Sequence, residues 1–469
     1  GAFEGRLVTL PTNGAKLYQP AFKRYPNLTP ADRVAMHLAD PPRRPAYTDA
    51  TLARALREGV DPAGRTLHPV MPRYRLAKAD MALLVGYLRH LSSAFSPGVT
   101  DTELRLATVI TDEVTAEERE AFETPLRTFL TAHNGLGEGG GNRMYQSLGG
   151  QEMALSHRRL VVDTWRLSGP PATWADQLAA YEAKAPVFAL VGGLTHGSWA
   201  PIHAFCEARQ LPCLLPLTPL PVVSAKDWYT VYFSKGPQQE GEAVARFLRH
   251  GEGGFSGKVL ELTDASPAGA ALRQGFHAAW KEAGGPDSEV TARTLPESQE
   301  ALADLLRSEA PAVVLWWADP ARLPLAGLPA RTFVSGSQLG EDLGKLPEAL
   351  RPKVWLTWPY RDPKEEPAVA RRANALSGGL EARHFRTRIP TRTYTMIELL
   401  KVVLGEMDRN FYRDNFLDRL AMLRDLSFPD YERLSFGPGQ RYLSKGCYVV
   451  QLGAGEHPEV LKRSPWVIQ

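Results

Sequence analysis

The segment GGLTHGSW, residues 192–199, has the residue types and spacing of a small-anion acceptor. Its paired glycines allow a tight turn, after which hydroxyl and backbone N–H groups stand where a helical pattern begins. The first N–H groups of a helix have no partner within the helix, so they favour negative charge. We predict a ligand site here, although Ser198 alternatively serves only as the cap of that helix. The predicted ligand residues of this segment are Gly193, Thr195, His196, Gly197 and Ser198.

The sequence lacks the common catalytic motifs. It contains no G-x-S-x-G, H-E-x-x-H, C-x-x-C or P-loop pattern, which are the spacings of nucleophilic, zinc, redox and phosphate chemistry. His196, His203 and Cys206 lie near one another, but their spacing, with no acidic partner assigned to them, is poor for a metal site. We therefore expect a binding protein with no catalytic residues rather than an enzyme.

The chain has three cysteines, Cys206, Cys213 and Cys447. They cannot all pair with one another, and Cys447 is remote from the other two in sequence. A disulfide between Cys206 and Cys213 in an oxidising compartment and two separate buried thiols are both compatible with the sequence.

The composition is that of an ordinary globular protein. The chain has 469 residues, of which 43% are hydrophobic and 23% are charged, and its formal net charge is +3. This length predicts about two to four domains. The balanced charge, without a dense Lys/Arg block, argues against nucleic acid or an anionic membrane as a partner. No apolar run is long enough to span a membrane, and the N-terminal residues lack the pattern of a signal peptide.

The first 92 residues predict a small, mainly α-helical region. Residues 47–60 have the pattern of a helix that stops at Gly59, because glycine ends helices readily. Within residues 76–93 apolar side chains recur at helical spacing, which predicts an amphipathic helix. Residues 93–103 are interrupted by Ser, Pro and Gly and predict a linker.

From Leu104 onwards, short β-rich runs alternate with helical patterns, which indicates βαβ units around a parallel sheet and an α/β fold class. The predicted strands are 104–111, 186–193, 212–217, 229–234, 257–264, 311–318, 331–337 and 353–360. The predicted helices are 117–130, 240–250, 268–284, 298–310 and 396–411. Within residues 433–452 a Gly-Pro-Gly turn predicts a hairpin.

Residues 59–91 resemble the C-terminal half of a class I cytochrome c domain, where a Met-Pro loop supplies the sixth ligand of the haem iron. By that resemblance Met71 holds the axial-ligand position, and Pro72 and Tyr74 brace its loop. A thioether is a soft ligand that raises the haem potential. Covalent attachment also needs C-x-x-C-H, which this sequence lacks, so we expect no haem in this chain.

Two explanations of the missing motif remain open. Either the sequence begins downstream of a haem-attachment segment, so that the intact precursor carries haem c, or the domain has lost haem and survives as a packing module. In the second case Met71 fills a gap in a hydrophobic core.

From Leu104 to its end, the sequence resembles type I periplasmic binding proteins of the branched-chain amino-acid and amide-binding group. The resemblance lies in the opening strand LRLATVIT, in PVFALVGGLTHGSWAPIHAFCEARQLPCLLPLT, and in GKVLELTDASPAGAALRQGFHAAWKEAGG. It implies two α/β lobes joined by three crossing segments, with the ligand held between the lobes. The implied organisation is a cytochrome c-like segment at 1–92, a linker at 93–103, a first lobe at 104–223, a second lobe at 224–352, and crossing and returning elements at 353–469.

Ligands of open α/β sheets lie beyond the carboxyl ends of the strands, so residues that follow predicted strands are further candidates for the cleft. The resemblance implies an aromatic and an acidic residue in the second lobe, roles that suit Trp317 and Asp319. Trp358 and Tyr360 are candidates for the hinge or the cleft wall, with core packing as the alternative. The further predicted ligand residues are Thr111, Thr218, Ser266, Trp317, Asp319 and Gln338.

The implied function is that of a periplasmic solute-binding protein that captures a small organic ligand for ABC-type uptake. Such binding needs only hinge closure and no chemical step. The alternative is a haem-linked electron-transfer protein, or a sensor of redox state or ligand. The expected partners are a small molecule and an ABC permease or redox protein. Extra tryptophans, and the lack of a Gly-rich stretch after the first strand, favour a larger and more apolar ligand than a plain α-amino acid.

Overall fold

The computed structural model describes residues 3–4, 7–8, 12–22, 43–69, 71–91, 94–138, 158–251, 257–340, 342–361, 388–407, 411–431, 433–437, 439–456 and 458–468. The chain forms two compact units, Gly1–Phe95 and Ser96–Gln469. The boundary between them falls inside residues 93–103, the segment predicted as a linker. The larger unit is α/β. None of the described helices combines the length and hydropathy that a bilayer crossing requires.

Short strands and three helices make up the described part of the smaller unit. The strands are β1 (Phe3–Glu4), β2 (Leu7–Val8), β3 (Ala21–Phe22) and β4 (Arg43–Arg44), which pair antiparallel as β1–β2 and β3–β4. The helices are α1 (Gly14–Leu17), α2 (Asp49–Glu58) and α3 (Lys78–His90). Helix α2 is capped at both ends, because the Thr48 side chain accepts a hydrogen bond from the Thr51 N–H and Gly59 adopts a left-handed φ of 72°.

The hydrophobic core of the smaller unit lies between α2 and α3. Leu52 and Ala55 of α2 pack with Met81 and Val85 of α3. Met71 is partly buried and packs against the same cluster. Its thioether therefore takes part in aliphatic packing within this unit.

The first lobe of the larger unit is a five-stranded parallel sheet in the order β6-β5-β7-β8-β9. Its strands are β5 (Glu103–Thr111), β6 (Arg159–Leu167), β7 (Leu190–Val191), β8 (Cys213–Leu214) and β9 (Thr230–Val231). Its connecting helices are α4 (Ala116–Glu138), α5 (Trp174–Lys184) and α6 (Ala200–Arg209). Buried apolar clusters cover both faces of this sheet.

Strand β6 and helix α5 do not appear among the predicted elements. In β6 only Leu160, Trp165 and Leu167 are buried, because the strand forms an edge of the sheet. An edge strand has a half-polar pattern in place of the continuous apolar run of an interior parallel strand. Its sequence therefore lacks the apolar run that predicts the interior strands.

The second lobe begins with five parallel strands in the order β11-β10-β12-β13-β14, followed by antiparallel β15, with which β16 and β17 both pair. The strands are β10 (Val259–Thr263), β11 (Val290–Thr294), β12 (Val313–Trp317), β13 (Thr332–Ser335), β14 (Val354–Trp358), β15 (Gly446–Leu452), β16 (Val460–Lys462) and β17 (Val467–Ile468). The helices are α7 (Pro237–His250), α8 (Pro267–Glu282), α9 (Gln299–Glu309) and α10 (Gly336–Leu339).

The chain passes between the two lobes three times: after β9, after β14 and before β15. Between the second and third passages lie α11 (Ile389–Met407) and α12 (Arg413–Ala421). Both helices belong to the first lobe, where Met396 of α11 and Phe416 of α12 share a core with Phe122 of α4. In each lobe the first five strands follow the doubly wound order whose carboxyl ends form a ligand crevice.

The hairpin predicted within residues 433–452 is wrong. Strand β15 pairs with β14 and β16, while Leu434 pairs with Leu426. Every residue of β15 is buried, so its backbone needs partner strands on both sides, and the sheet of the second lobe supplies them.

The three cysteines are buried free thiols. Burial raises the pKa of the Cys206 thiol, and so does the neighbouring thiol of Cys213. The sequence allowed either a disulfide between Cys206 and Cys213 or two separate buried thiols, and this structure has the separate thiols.

Helices α7 and α8 approach each other closely where glycines face the neighbouring backbone. A Cβ on Gly241 would lie 2.0 Å from the Leu272 carbonyl oxygen, and one on Gly275 would lie 1.9 Å from the Gln238 carbonyl oxygen. The missing side chains therefore set the distance between these two helices.

We expect Gly241→Ala to lower the free energy of unfolding by about 1–3 kcal/mol, because the added methyl group forces the helices apart. Gly405→Ala is the matched control: it lies in α11 with no outside atom within 4 Å. At position 405 alanine should raise the free energy of unfolding by about 0.5–1 kcal/mol, because glycine loses more conformational entropy than alanine when a helix forms. Urea unfolding measures both changes. A Gly241→Ala protein as stable as the wild type would contradict the close helix contact.

Candidate functional site

A cavity of about 320 Å³ lies in the larger unit between the carboxyl ends of its two sheets. Its volume falls in the range of small-molecule sites. Thr195, His196 and Thr218 line it from the first lobe, Ser337 from the second, and Tyr360 from the connection after β14. Three residues predicted from sequence as ligand contacts, together with the cleft-wall candidate Tyr360, thus meet at one cavity.

The donors of the predicted anion acceptor hold a carboxylate of the chain itself. Glu113 Oε1 accepts hydrogen bonds from Thr111 Oγ1 at 2.6 Å, from Thr195 Oγ1 at 2.7 Å and from the His196 N–H at 3.1 Å. Burial raises the pKa of Glu113, but the hydrogen bonds from Thr111 and Thr195 outweigh it and hold the pKa below its ordinary value. The acceptor is therefore filled by a negative charge at neutral pH.

The remaining polar groups of this wall also bond within the protein. Thr218 Oγ1 donates to the Gly197 carbonyl oxygen at 2.8 Å and accepts from the Leu220 N–H at 3.1 Å. Ser198 Oγ accepts from the Ala200 N–H at 3.2 Å, but the N-cap of α6 is Trp199, so Ser198 lies one residue before the cap. These bonds hold the loop in one conformation beside the cavity.

Gly193 serves the backbone conformation of this loop. Its φ of 109° lies in the region that favours glycine, and a Cβ would come within 2.5 Å of the Trp199 ring and 2.9 Å of the Val109 carbonyl oxygen. It lies behind the cavity wall, as does Thr111, which is buried and reaches the site through Glu113.

The four residues predicted in the second lobe do not line the cavity. Ser266 caps α8, Asp319 caps a short turn, and Trp317 is fully buried beside Phe276. Gln338 lies in α10 next to the lining residue Ser337, and its buried Oε1 has no hydrogen-bond partner among the described residues. Trp317 belongs to an interior strand with helices on both faces, so it packs in the core instead of ending in the crevice.

Two arginines that were not predicted from the sequence also line the cavity. The Arg388 guanidinium lies 4.0 Å from the Tyr360 ring centroid and pairs with Asp430 at 3.0 Å. The Arg392 guanidinium lies 5.5 Å from the same centroid, and its Nη2 donates to the Tyr360 hydroxyl at 3.0 Å. No motif marks these residues; the signal available is two arginines four positions apart at the start of a helix.

The two histidines near this wall each have an acidic partner. His196 Nε2 lies 2.9 Å from Glu118 Oε1, and His203 Nε2 lies 2.8 Å from Asp227 Oδ2. No acidic partner of His203 was predicted from the sequence. The structure shows one, because Asp227 lies on a loop that is distant from His203 in the chain. Within the described ranges, no group of three or more His, Cys, Asp or Glu side chains is placed to hold a metal ion.

A buried carboxyl group supports the second-lobe wall from beneath. Glu240 Oε2 accepts hydrogen bonds from Ser335 Oγ at 2.9 Å, from the Ser337 N–H at 3.4 Å and from Thr357 Oγ1. Desolvation by burial raises the pKa of Glu240 to about 7, although the bonds from Thr357 and Ser335 oppose the rise. Glu240 thereby ties α7 to the ends of β13 and β14, where the cavity begins.

Comparison with known proteins identifies the fold. No protein-family model matches the chain, and no curated protein matches it in sequence. A solved structure described as a branched-chain amino acid ABC transporter from Rhodospirillum rubrum matches with a TM-score of 0.56 and 17% identity, covering 76% of this chain and 100% of that chain. A solute-binding protein of an ABC transporter from Rhodopseudomonas palustris BisB5, in complex with 3,4-dihydroxybenzoic acid, matches with a TM-score of 0.54 and 12% identity, covering 79% and 99%.

A third structure, a branched-chain amino acid ABC transporter from Thermus thermophilus with bound valine, matches with a TM-score of 0.54 and 11% identity, covering 78% of this chain and 97% of that chain. At these identities the likeness shows the fold. The α/β part of the chain has the two-lobed fold of periplasmic binding proteins, as the resemblance in sequence implied.

We expect Glu240→Gln to remove a pH dependence of stability. In the wild type the unfolded carboxyl ionises near 4.5 and the folded one near 7. Between these values the folded state holds the proton more tightly, so the free energy of unfolding falls as the pH rises. This pKa shift corresponds to about 3 kcal/mol. The wild type should lose this much free energy of unfolding, relative to the glutamine variant, between about pH 4.5 and pH 8. Urea unfolding across this range measures the loss.

Glu309→Gln is the control for this experiment. Lys258 and Arg293 lower the pKa of Glu309, so its contribution to stability rises with pH, opposite in sign to that of Glu240, and is complete by about pH 6. If Glu240→Gln followed the wild-type pH curve, the raised pKa of Glu240 would be contradicted.

Proposed function

We propose that the larger unit is an ABC-type solute-binding module that closes its two lobes over a small organic molecule. The observation that carries the proposal is the cavity of about 320 Å³ between the strand ends of two doubly wound sheets. Hinge movement of two lobes about their connections encloses a ligand without any chemical step. Structures of the same fold are described with valine or 3,4-dihydroxybenzoic acid bound, which supports a small-molecule ligand here.

The proposal extends to the partner and the location. Neighbours of this fold are described as parts of ABC transporters, which supports delivery of the solute to an ABC permease from the periplasm. In the cleft we assign ligand contact to Thr195, His196 and Thr218 on one wall and to Ser337 and Tyr360 on the other. Gly193, Gly197 and Ser198 contribute by shaping the loop.

Blocking the cavity tests this function directly. We expect wild-type protein to show a ligand-dependent rise in melting temperature in a screen of small solutes. Ser337→Trp should weaken binding of any hit at least tenfold, about 1.4 kcal/mol, because the indole fills space in which the ligand lies. Isothermal titration calorimetry measures the affinity.

Ser308→Trp is the matched control, because Ser308 is an exposed serine at the end of α9, away from the cavity. Its binding should equal that of the wild type. Equal affinity in Ser337→Trp and Ser308→Trp would place the ligand outside the cleft and contradict the proposal.

For the smaller unit we propose a cytochrome c-like packing module that does not hold covalent haem. Its residues do not fit the group: the three cysteines of the chain all lie in the larger unit, so none is available for thioether bonds to haem. The packing of Met71 against the aliphatic cluster of α2 and α3 supports the same assignment.

An absorption spectrum tests the haem assignment. We expect the chain, expressed together with cytochrome c maturation proteins, to show no Soret band, because it has no site of covalent attachment. A Soret band in the wild type that disappears in Met71→Ala would contradict this and support the electron-transfer alternative.

A further inference from the structure

Glu113 has the contacts that a bound carboxylate ligand would have. One of its oxygens receives three hydrogen bonds of 2.6–3.1 Å, from two threonine hydroxyls and a backbone N–H. Charge-assisted hydrogen bonds of this length are strong. A ligand carboxylate at this position would find the three donors already bonded to Glu113, and the negative charge of Glu113 would repel it.

Glu113 also has a kinetic and entropic advantage over any free anion. It is attached two residues after β5, so its return to the acceptor loses no translational freedom, whereas a ligand must lose it on association. The first-lobe acceptor is therefore closed to carboxylates at ordinary solute concentrations.

The cleft also offers little to an ammonium group. Glu118 is the only acidic residue among the described residues that line the cavity. Its two carboxylate oxygens lie 2.9 and 3.0 Å from His196 Nε2. For a zwitterionic α-amino acid, Glu113 therefore occupies the site that would bind the carboxylate, and Glu118, the residue that would bind the ammonium group, is already bonded to His196.

The cavity lining around Tyr360 is suited to an anion. Arg388 and Arg392 both line the cavity beside the Tyr360 ring. A guanidinium has five N–H donors in a planar fork that matches carboxylate geometry, so these two side chains suit the acidic group of a ligand. Ile389 and Phe233 line the same cavity and provide apolar surface for the body of such a ligand.

We propose that Glu113 sets the specificity of this cleft. It closes the first-lobe acceptor, so the solute is an organic acid without an ammonium group, and its acidic group binds to Arg388 and Arg392. This inference rests on the proposed solute-binding function and names the class of solute.

Chemical rescue tests the role of Glu113 without knowledge of the solute. Glu113→Ala should lower the melting temperature, because Thr195 and the His196 N–H lose their acceptor. Formate, added at millimolar to molar concentration, should then recover at least half of that loss and saturate. Wild type and Glu113→Gln, whose acceptor stays filled, should respond to formate no more than to chloride. An equal response of all three proteins to formate would overturn the inference.

Paired probes test the solute class on the wild type, so this arm does not depend on a folded variant. We expect 4-methylpentanoate to bind at least tenfold more tightly than leucine, which differs by the ammonium group, and 4-hydroxybenzoate more tightly than 4-hydroxybenzamide. Arg392→Gln should abolish the preference for acid over amide. Leucine binding as tightly as 4-methylpentanoate would overturn the solute class and leave the solute-binding function standing.

Binding of no probe and of no solute in the wider screen would instead contradict the proposed function, and with it the solute class. The formate experiment would still decide whether Glu113 occupies the acceptor, because its readout is stability and not solute binding. The two failures are therefore distinguishable.

Discussion

Backbone hydrogen bonds between two of the chain's passages hold the lobes of the larger unit in register. The Tyr232 N–H donates to the Arg441 carbonyl oxygen at 2.7 Å, and the Ser444 N–H donates to the Phe233 carbonyl oxygen at 2.7 Å. The rings of Tyr232 and Tyr442 stack above this pairing, with centroids 6.1 Å apart. Because Tyr232 and Phe233 also line the cavity, these bonds fix the position of that part of its wall.

Two parts of the cavity lining differ in how their polar groups are used. Beyond the ends of β7 and β8, Thr195, His196 and Thr218 bond to partners within the protein. At the start of α11, Arg388 and Arg392 lie beside the Tyr360 ring and bring positive charge to the cavity. The first part is therefore ordered before any solute arrives, and the second has the charge that suits an anion.

Glu113 and Glu240 show how environment separates two chemically equal carboxyl groups. Hydrogen bonds from hydroxyl groups favour the ionised form of both, yet burial is complete only around Glu240. Burial therefore raises the pKa of Glu240, and the hydrogen bonds lower that of Glu113. Glu240 acts as a structural support whose charge changes near neutral pH. Glu113 is a negative charge held by Thr195 and His196, which line the cavity.

The sequence by itself determined those features that arise from local pattern. Interior parallel strands such as β5, β10 and β12 are continuous apolar runs, and Gly59 marks the C-terminal end of α2. The glycine turn that brings Thr195 to the cavity also has a local signature. The edge strand β6 and the pairing of β15 were missed because their patterns depend on neighbours distant in the chain.

Only the tertiary structure decided which polar groups meet at the cleft. Glu113 lies 82 positions from Thr195 and Arg388 lies 42 from Asp430, and no local motif connects either pair. Trp317 was predicted at the cleft, but its place in an interior strand put it in the core. Spacing in sequence predicts contacts within one element, whereas contacts between elements depend on the sheet order and on the passages that align the two lobes.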